Sequence, residues 1–382
     1  MFVFDLLVYV LFTWTMCTLA RRSAAAVPDG GTRFDRNLWA YVLFFTVVAA
    51  IRWRVGVDST AYIKIFQQGE VREGSEEYLW DWLVTFVHGW GLHFVVGTGV
   101  MAFLQIALLT KGALPHRREV LVWLPVVLFG SRYFLDLMNG VRQMTAACGF
   151  VFVMKYALER RPVAYVVGVL LMAGFHHSAL LLLPAYLLTY VPWDRLRLHD
   201  RRWTCLTVLA ACLVLGQTPS FQGMLKFVEP LLATAGYEGL TDFYTEVLGG
   251  ASGEALAFGP TMLSFLLSAV AVIWYGPQLH ARYGSRIPMF NLWYFGAVFY
   301  ACTYFLVCNM SHMMIRPFQY FELFQALVLA LLLHLLREGS GRTQVQFYAL
   351  IMILWVCTAG GVYQASGKQV ETMIYKTFFG HV

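Results

Sequence analysis

Uninterrupted apolar runs of about 17–20 residues recur along this 382-residue chain, and each is long enough to cross a bilayer core of about 30 Å as a helix. Inside hydrocarbon no water is available to the backbone, so a crossing segment must satisfy its own N–H and C=O groups; runs of this length do so as α-helices. Charged residues make up 13% of the chain, against roughly 25% in an average soluble domain. The 12 Trp and 20 Tyr suit a chain with many interfacial anchors. These features predict an all-α polytopic membrane protein in contact with the lipid bilayer.

The runs predict about twelve transmembrane helices: 2–20, 37–54, 92–111, 119–136, 141–158, 163–175, 178–191, 203–218, 260–276, 288–309, 314–336 and 345–361. The whole chain, 1–382, reads as a single transmembrane domain with outer loops at about 55–91 and 219–259. The 7 Cys stand singly, without CxxC or metal-type spacing, and read as small packing residues.

Cation placement orients this layout. With the N-terminus outside, the inner segments hold Arg21, Arg22, Arg33, Arg36, Lys111, Arg117, Arg118, Lys155, Arg160 and Arg161. Further along they hold Arg195, Arg197, Arg201, Arg202, Arg282, Arg286, Arg337 and Arg342, so 18 of the 28 cations alternate with the spans as the positive-inside rule requires. Between 163 and 191 both flanks are basic, which predicts two short helices. They form a hairpin with Phe175-His176-His177-Ser178 at its outer tip.

The outer cations are the informative ones. Arg52, Arg132, Arg142 and Arg316 fall within or at the outer ends of spans, where an unpaired charge costs several kcal/mol. Singly, each could snorkel to the interface. Gathered on one face, they predict an anion site, because the guanidinium fork matches phosphate oxygens and stays charged in a poorly hydrated cleft. Acidic and aromatic residues crowd the same face: Asp58, Glu70, Glu73, Glu76, Glu77 and Asp81 with Tyr62, Tyr78, Trp80 and Trp82, then Glu229, Glu238, Asp242, Glu246 and Glu254 with Tyr237 and Tyr244. A single loop carboxylate is more often just solvated; several beside arginines suit sugar hydroxyls next to a phosphate. At the turn Asn139-Gly140-Val141-Arg142-Gln143, the Asn, Arg and Gln side chains are candidates for pyrophosphate or sugar oxygens, and helix capping is the bland alternative. At the hairpin tip an imidazole is placed to act as a general base or phosphate donor. Arg316, Gln319, Glu322 and Gln325 recur at three-residue spacing, a polar stripe that must face protein.

Other chemistries leave no trace. GxSxG, HExxH, the P-loop and a strand-to-helix GxGxxG are absent. The cations follow the inner loops and form no basic nucleic-acid surface.

At these residues the chain resembles the EpsG family of Wzy-like polysaccharide polymerases. The matching pieces are Arg54-Val55-Gly56-Val57-Asp58 with Tyr62 and Phe66, Glu76-Glu77, Asn139-Gly140-Val141-Arg142-Gln143, Phe175-His176-His177-Ser178-Ala179-Leu180, and Arg316 with Tyr320-Phe321. The resemblance implies a GT-C-like, many-helix glycosyltransferase of the bacterial inner membrane, with its site facing the periplasm and with neither metal nor cofactor. Its substrate would be an undecaprenyl-pyrophosphate-linked oligosaccharide, polymerised into O-antigen, capsule or exopolysaccharide, with a membrane chain-length regulator as a partner by analogy. The resemblance places Arg54, Arg142 and Arg316 on the pyrophosphate, His176 on proton transfer or donor binding, and Asp58 and Glu77 on the acceptor sugar. Arg142 and Asp58 join His176 as the catalytic candidates; Arg52, Arg132, Asn139, Gln143, His177 and Tyr320 complete the substrate-binding expectation. A lipid-linked sugar flippase, a polysaccharide ligase and a membrane acyltransferase are the alternatives.

Overall fold

Helices occupy the apolar runs, and local residues mark where several of them start. The computed structural model describes residues 2–28, 30–56, 58–71, 74–218, 259–307, 312–367 and 375–377. In order these form α1 (Phe2–Ala26), α2 (Arg36–Ala50), α3 (Ser59–Gln68), α4 (Tyr78–Gly89), α5 (Phe94–Ala113), α6 (Leu124–Gly130), α7 (Tyr133–Asn139) and α8 (Val141–Leu158). Next come α9 (Pro162–Ala173), a run of 3₁₀ turns (His177–Tyr190), α10 (Trp193–Leu196), α11 (Arg202–Gly216), α12 (Pro260–Trp274) and α13 (Gly276–Tyr283). The last are α14 (Phe290–Val307), α15 (His312–Gln319), α16 (Glu322–Glu338) and α17 (Arg342–Gly367). Among the described residues there is no strand, only an isolated bridge between Arg52 and Thr377. Asp35 caps α2, accepting from the Asn37 N–H at 3.2 Å and from the Ser23 hydroxyl at 2.5 Å. Pro162 opens α9, where its missing N–H would have had no helical partner.

Four helical stretches are long and apolar enough to cross a bilayer: Val3–Ala26, Phe94–Leu121, Phe290–Val307 and Arg342–Tyr363. α12 and α13, bent by 57° at their junction, make a fifth if taken as one span. α1 buries Tyr9, Met16 and Ala20 while exposing Phe4, Leu7, Leu11 and Trp14; α17 exposes Val345, Tyr348, Met352 and Val356. Helices apolar on both the packed and the open face are what a lipid solvent selects. The chain is therefore an all-helical polytopic membrane protein. α2, α9, the 3₁₀ run and α11 are apolar but shorter than a straight crossing requires. α16 runs buried along most of its length, packed on α14, α17 and α6, while α5 lies between α2 and α8.

Three segments depart from the sequence reading. The stretch expected as one helix over 119–136 is a π turn (Arg117–Leu121), then α6, a break at Ser131 and Arg132, and α7. The break lets the largely buried Arg132 guanidinium meet Asp136 at 2.7 Å and approach Glu322 at 3.8 Å, which a charge at this depth requires. The stretch expected over 314–336 divides into α15, which contains Pro317, and α16. In place of a second short α-helix after α9, the chain makes 3₁₀ turns through Pro184, which has no N–H to donate.

Within the expected outer loop at 55–91, whose later part, Tyr78 to Trp90, reads as apolar enough for an interfacial or re-entrant helix, the chain forms α3 and α4. Their Tyr62, Phe66, Trp80, Leu83, Val84 and Val87 form a small apolar cluster on Phe94, Met101 and Val141. The second expected outer loop, with Glu229, Glu238, Asp242, Glu246, Glu254, Tyr237 and Tyr244, lies outside the described residues except for its last position, as does Glu73.

Candidate functional site

The site is built where α3, the start of α8, the first 3₁₀ turn and α15 meet. Gly56 explains how the first of these arrives. Its φ is +93°, in the region that favours glycine, and a Cβ there would overlap Oδ1 of Asn139. The chain can therefore lie directly on the end of α7, and two residues later Asp58 reaches the cavity. Arg52 supports the same junction: its guanidinium donates to the carbonyl oxygens of Ala49 and, at 3.4 Å, Met138.

Gly174 makes the second close approach. A Cβ there would meet Tyr78 at 2.7 Å and Leu79 at 2.8 Å. Its carbonyl accepts from the N–H groups of Leu79 and Trp80 at 2.8 and 3.0 Å. The start of α4 is thereby docked on the end of α9, which places Glu77 beside His176.

Glu77 is the organising group. Its Oε1 accepts from Nδ1 of His176 at 2.7 Å and from the His177 N–H at 3.2 Å, while Oε2 pairs with Arg142. Burial pushes the Glu77 carboxyl up; the His176 hydrogen bond, the Arg142 charge and the His177 amide together outweigh it and hold it below its ordinary range. An ionised carboxylate only accepts, so Nδ1 of His176 carries the hydrogen and Nε2 is the ring nitrogen left for a substrate. Arg142 also lies over the Trp80 ring at 5.5 Å and against the Tyr62 hydroxyl, so one guanidinium is fixed on three sides.

These groups border two chambers with a common wall. The first, about 170 Å³, is lined by Ala61, Tyr62, Ile65, Arg142 and His176; the second, about 160 Å³, by Asp136, Asn139 and Gln319. Asp58, Gly140, Gln143 and Arg316 border both. Gln143 holds α15 in place by donating to the Arg316 carbonyl. Among the described residues the Arg316 guanidinium and the Asp58 carboxylate form no ion pair, so both remain available to a ligand.

The residues singled out from the sequence therefore separate. The structure brings Asp58, Asn139, Arg142, Gln143, His176 and Arg316 to the cavity. Glu77 stands behind it as the clamp of Arg142 and His176. Tyr320 is buried and pins the 3₁₀ run, its hydroxyl 2.8 Å from that of Ser178. His177 points to Glu76 at 2.7 Å, well exposed. Arg54 is exposed over Trp53, with a left-handed φ of 55°, and Arg52 and Arg132 are spent on internal partners; none of the three lines either chamber. Asp136 was not legible as a site residue. Its one signal was the four-residue spacing from Arg132, which puts both on one face of a helical turn.

Among the described residues no three His, Cys, Asp or Glu side chains gather as a metal site. What the arrangement can do is hold an anion between Arg142 and Arg316 while the imidazole Nε2 of His176 faces a bound hydroxyl.

The model of the EpsG family matches residues 38–377 of the chain. No curated protein and no solved structure matches it.

Proposed function

We propose that this chain, which belongs to the EpsG family, joins oligosaccharide repeats carried on undecaprenyl pyrophosphate into a bacterial surface polysaccharide. The observation that carries this reading is the convergence of Arg142 and Arg316 with Asp58 and His176 on one cavity. Two arginine forks suit a pyrophosphate, and a carboxylate beside an imidazole suits a sugar hydroxyl.

In the proposed reaction, an acceptor hydroxyl oxygen attacks the anomeric carbon of the donor glycan. The bond from that carbon to the pyrophosphate oxygen breaks, and the lipid pyrophosphate leaves with the electron pair. The hydroxyl proton passes to Nε2 of His176, and Glu77 stabilises the imidazolium that forms. Arg142 and Arg316 supply preorganised positive charge to the departing pyrophosphate, with no metal ion or cofactor in the step. The bond energy is already stored in the lipid-linked donor.

The same reading places the chain in the bacterial inner membrane as a single transmembrane domain of about twelve spans, GT-C-like in architecture, with the cavity open to the periplasm. The alternation of 18 of the 28 cations with the apolar runs supports that orientation. A membrane chain-length regulator is the proposed partner.

The test is an in vitro reaction of purified chain with polyprenyl-pyrophosphate-linked repeats in the presence of EDTA, with products resolved by size. A ladder spaced by one repeat, lost in Arg142→Ala and His176→Ala, is the expected result. Folded wild-type protein that makes no ladder would overturn the proposal.

A further inference from the structure

The two chambers differ in chemistry. The first presents Arg142 and His176 with Tyr62, Ile65 and Ala61, a cationic and partly apolar lining. The second adds a second carboxylate and two more amides, Asp136, Asn139 and Gln319. We propose that the second chamber is the acceptor-sugar subsite and that Asp136 is its specificity-determining residue, accepting a hydrogen bond from a hydroxyl of the acceptor's terminal sugar. This rests on the polymerase reading of the same cavity.

Charge sorts the two ends of the substrate. Asp58 and Arg316 border both chambers, so the difference is that a pyrophosphate in the second would face the further carboxylate of Asp136, whereas in the first it meets the further cation of Arg142. A sugar hydroxyl has the opposite preference. It donates to a carboxylate in a short, charge-assisted bond, and an amide such as Gln319 answers it as either donor or acceptor. Because Arg316 and Asp58 border both chambers, the reacting carbon falls between the phosphate end and the acceptor end.

Asp136 is also held in place as a discriminating group must be. Its Oδ2 accepts from Nε of Arg132 at 2.7 Å and the buried Glu322 carboxyl stands against the same group, while Asp136 still lines the second chamber. Arg132 is in turn fixed 4.7 Å above the Tyr304 ring and 3.8 Å from Glu322, whose side chain is fully buried. A carboxylate that cannot swing away discriminates between hydroxyl positions, since a sugar without the matching hydroxyl leaves it unpaired.

The experiment uses the full-length chain in nanodiscs as wild type, Asp136→Asn and Gln319→Ala. The donor is the lipid-linked oligosaccharide extracted from cells lacking the chain, and the titrated acceptor is the same oligosaccharide freed of its lipid. Inorganic pyrophosphate, the probe of the first chamber, is read by its protection against thermal unfolding. The expected result is an acceptor KM raised about tenfold or more in both variants, with pyrophosphate protection unchanged. An active wild type with acceptor KM unmoved in the variants overturns the subsite alone, as does loss of pyrophosphate protection in Asp136→Asn. Wild-type protein that elongates nothing overturns the polymerase reading and the subsite with it. If Asp136→Asn does not fold, Gln319→Ala carries the same expectation, because it leaves the Arg132 ion pair intact.

Discussion

Nδ1 of His176 lies 2.7 Å from Oε1 of Glu77, a hydrogen bond between residues 99 apart in the chain. Glu77 holds Arg142 through its other oxygen, so one carboxylate fixes both an imidazole and a guanidinium at the cavity.

Glu77→Gln keeps the shape of the side chain but loses the charge that fixes the His176 tautomer and supports an imidazolium. The rate of repeat addition is expected to fall about 100-fold or more, in the range of general-base catalysis. A variant that elongates at the wild-type rate would remove Glu77 from the mechanism.

The low titration of Glu77 has a pH signature. Its folded pKa lies below the unfolded value of about 4.3, so its contribution to stability is fully present above that value. It is lost as the pH falls through the folded pKa. Thermal unfolding midpoints of the purified protein should therefore carry a Glu77 contribution that is constant near neutrality and fades below about pH 4.3. The gap between wild type and Glu77→Gln should close over the same acidic window; a gap independent of pH would contradict the assignment.

The two cavity arginines should behave differently. Arg142→Ala leaves the Glu77 carboxylate without its cation, so stability should drop by about 1–3 kcal/mol along with activity. Arg316 has no ion pair among the described residues, so Arg316→Ala should abolish elongation while changing stability by only about 0.5 kcal/mol. Calorimetry beside the ladder assay separates the cases, and a large stability loss in Arg316→Ala would contradict this division.

Gly56→Ala forces a side chain into a φ of +93° and onto Oδ1 of Asn139. The backbone alone should cost about 1–2 kcal/mol, and the overlap adds to it. Thermal unfolding of the variant is the measure; an unchanged midpoint would show that the junction relaxes freely.

Much of the site was legible because its residues break the pattern around them. Arg142, His176 and Arg316 are polar groups at the ends of apolar runs, where an unsatisfied charge is costly, and all three line the cavity. Arg52 breaks the pattern in the same way, but its guanidinium donates to two backbone carbonyls, partners that no sequence pattern announces. Asp136 escaped notice because a lone acid in an apolar stretch reads as the local partner of Arg132, which it also is. The clamping contacts of Glu77 were not legible, because its partners come from α8 and from the entry to the 3₁₀ run.

By itself the sequence determined the solvent of this protein and the helical state of its apolar runs. Those follow from hydropathy and hydrogen bonding, which act over one turn or one span of the chain. Only the tertiary structure decided that α6 and α7 would break at Arg132, that Glu77 would face inward, and that Arg142 and Arg316 would share a cavity while Arg54 stayed outside. Those outcomes depend on pairing across the helix bundle, where the free energy of a buried charge is set by partners tens to hundreds of residues away.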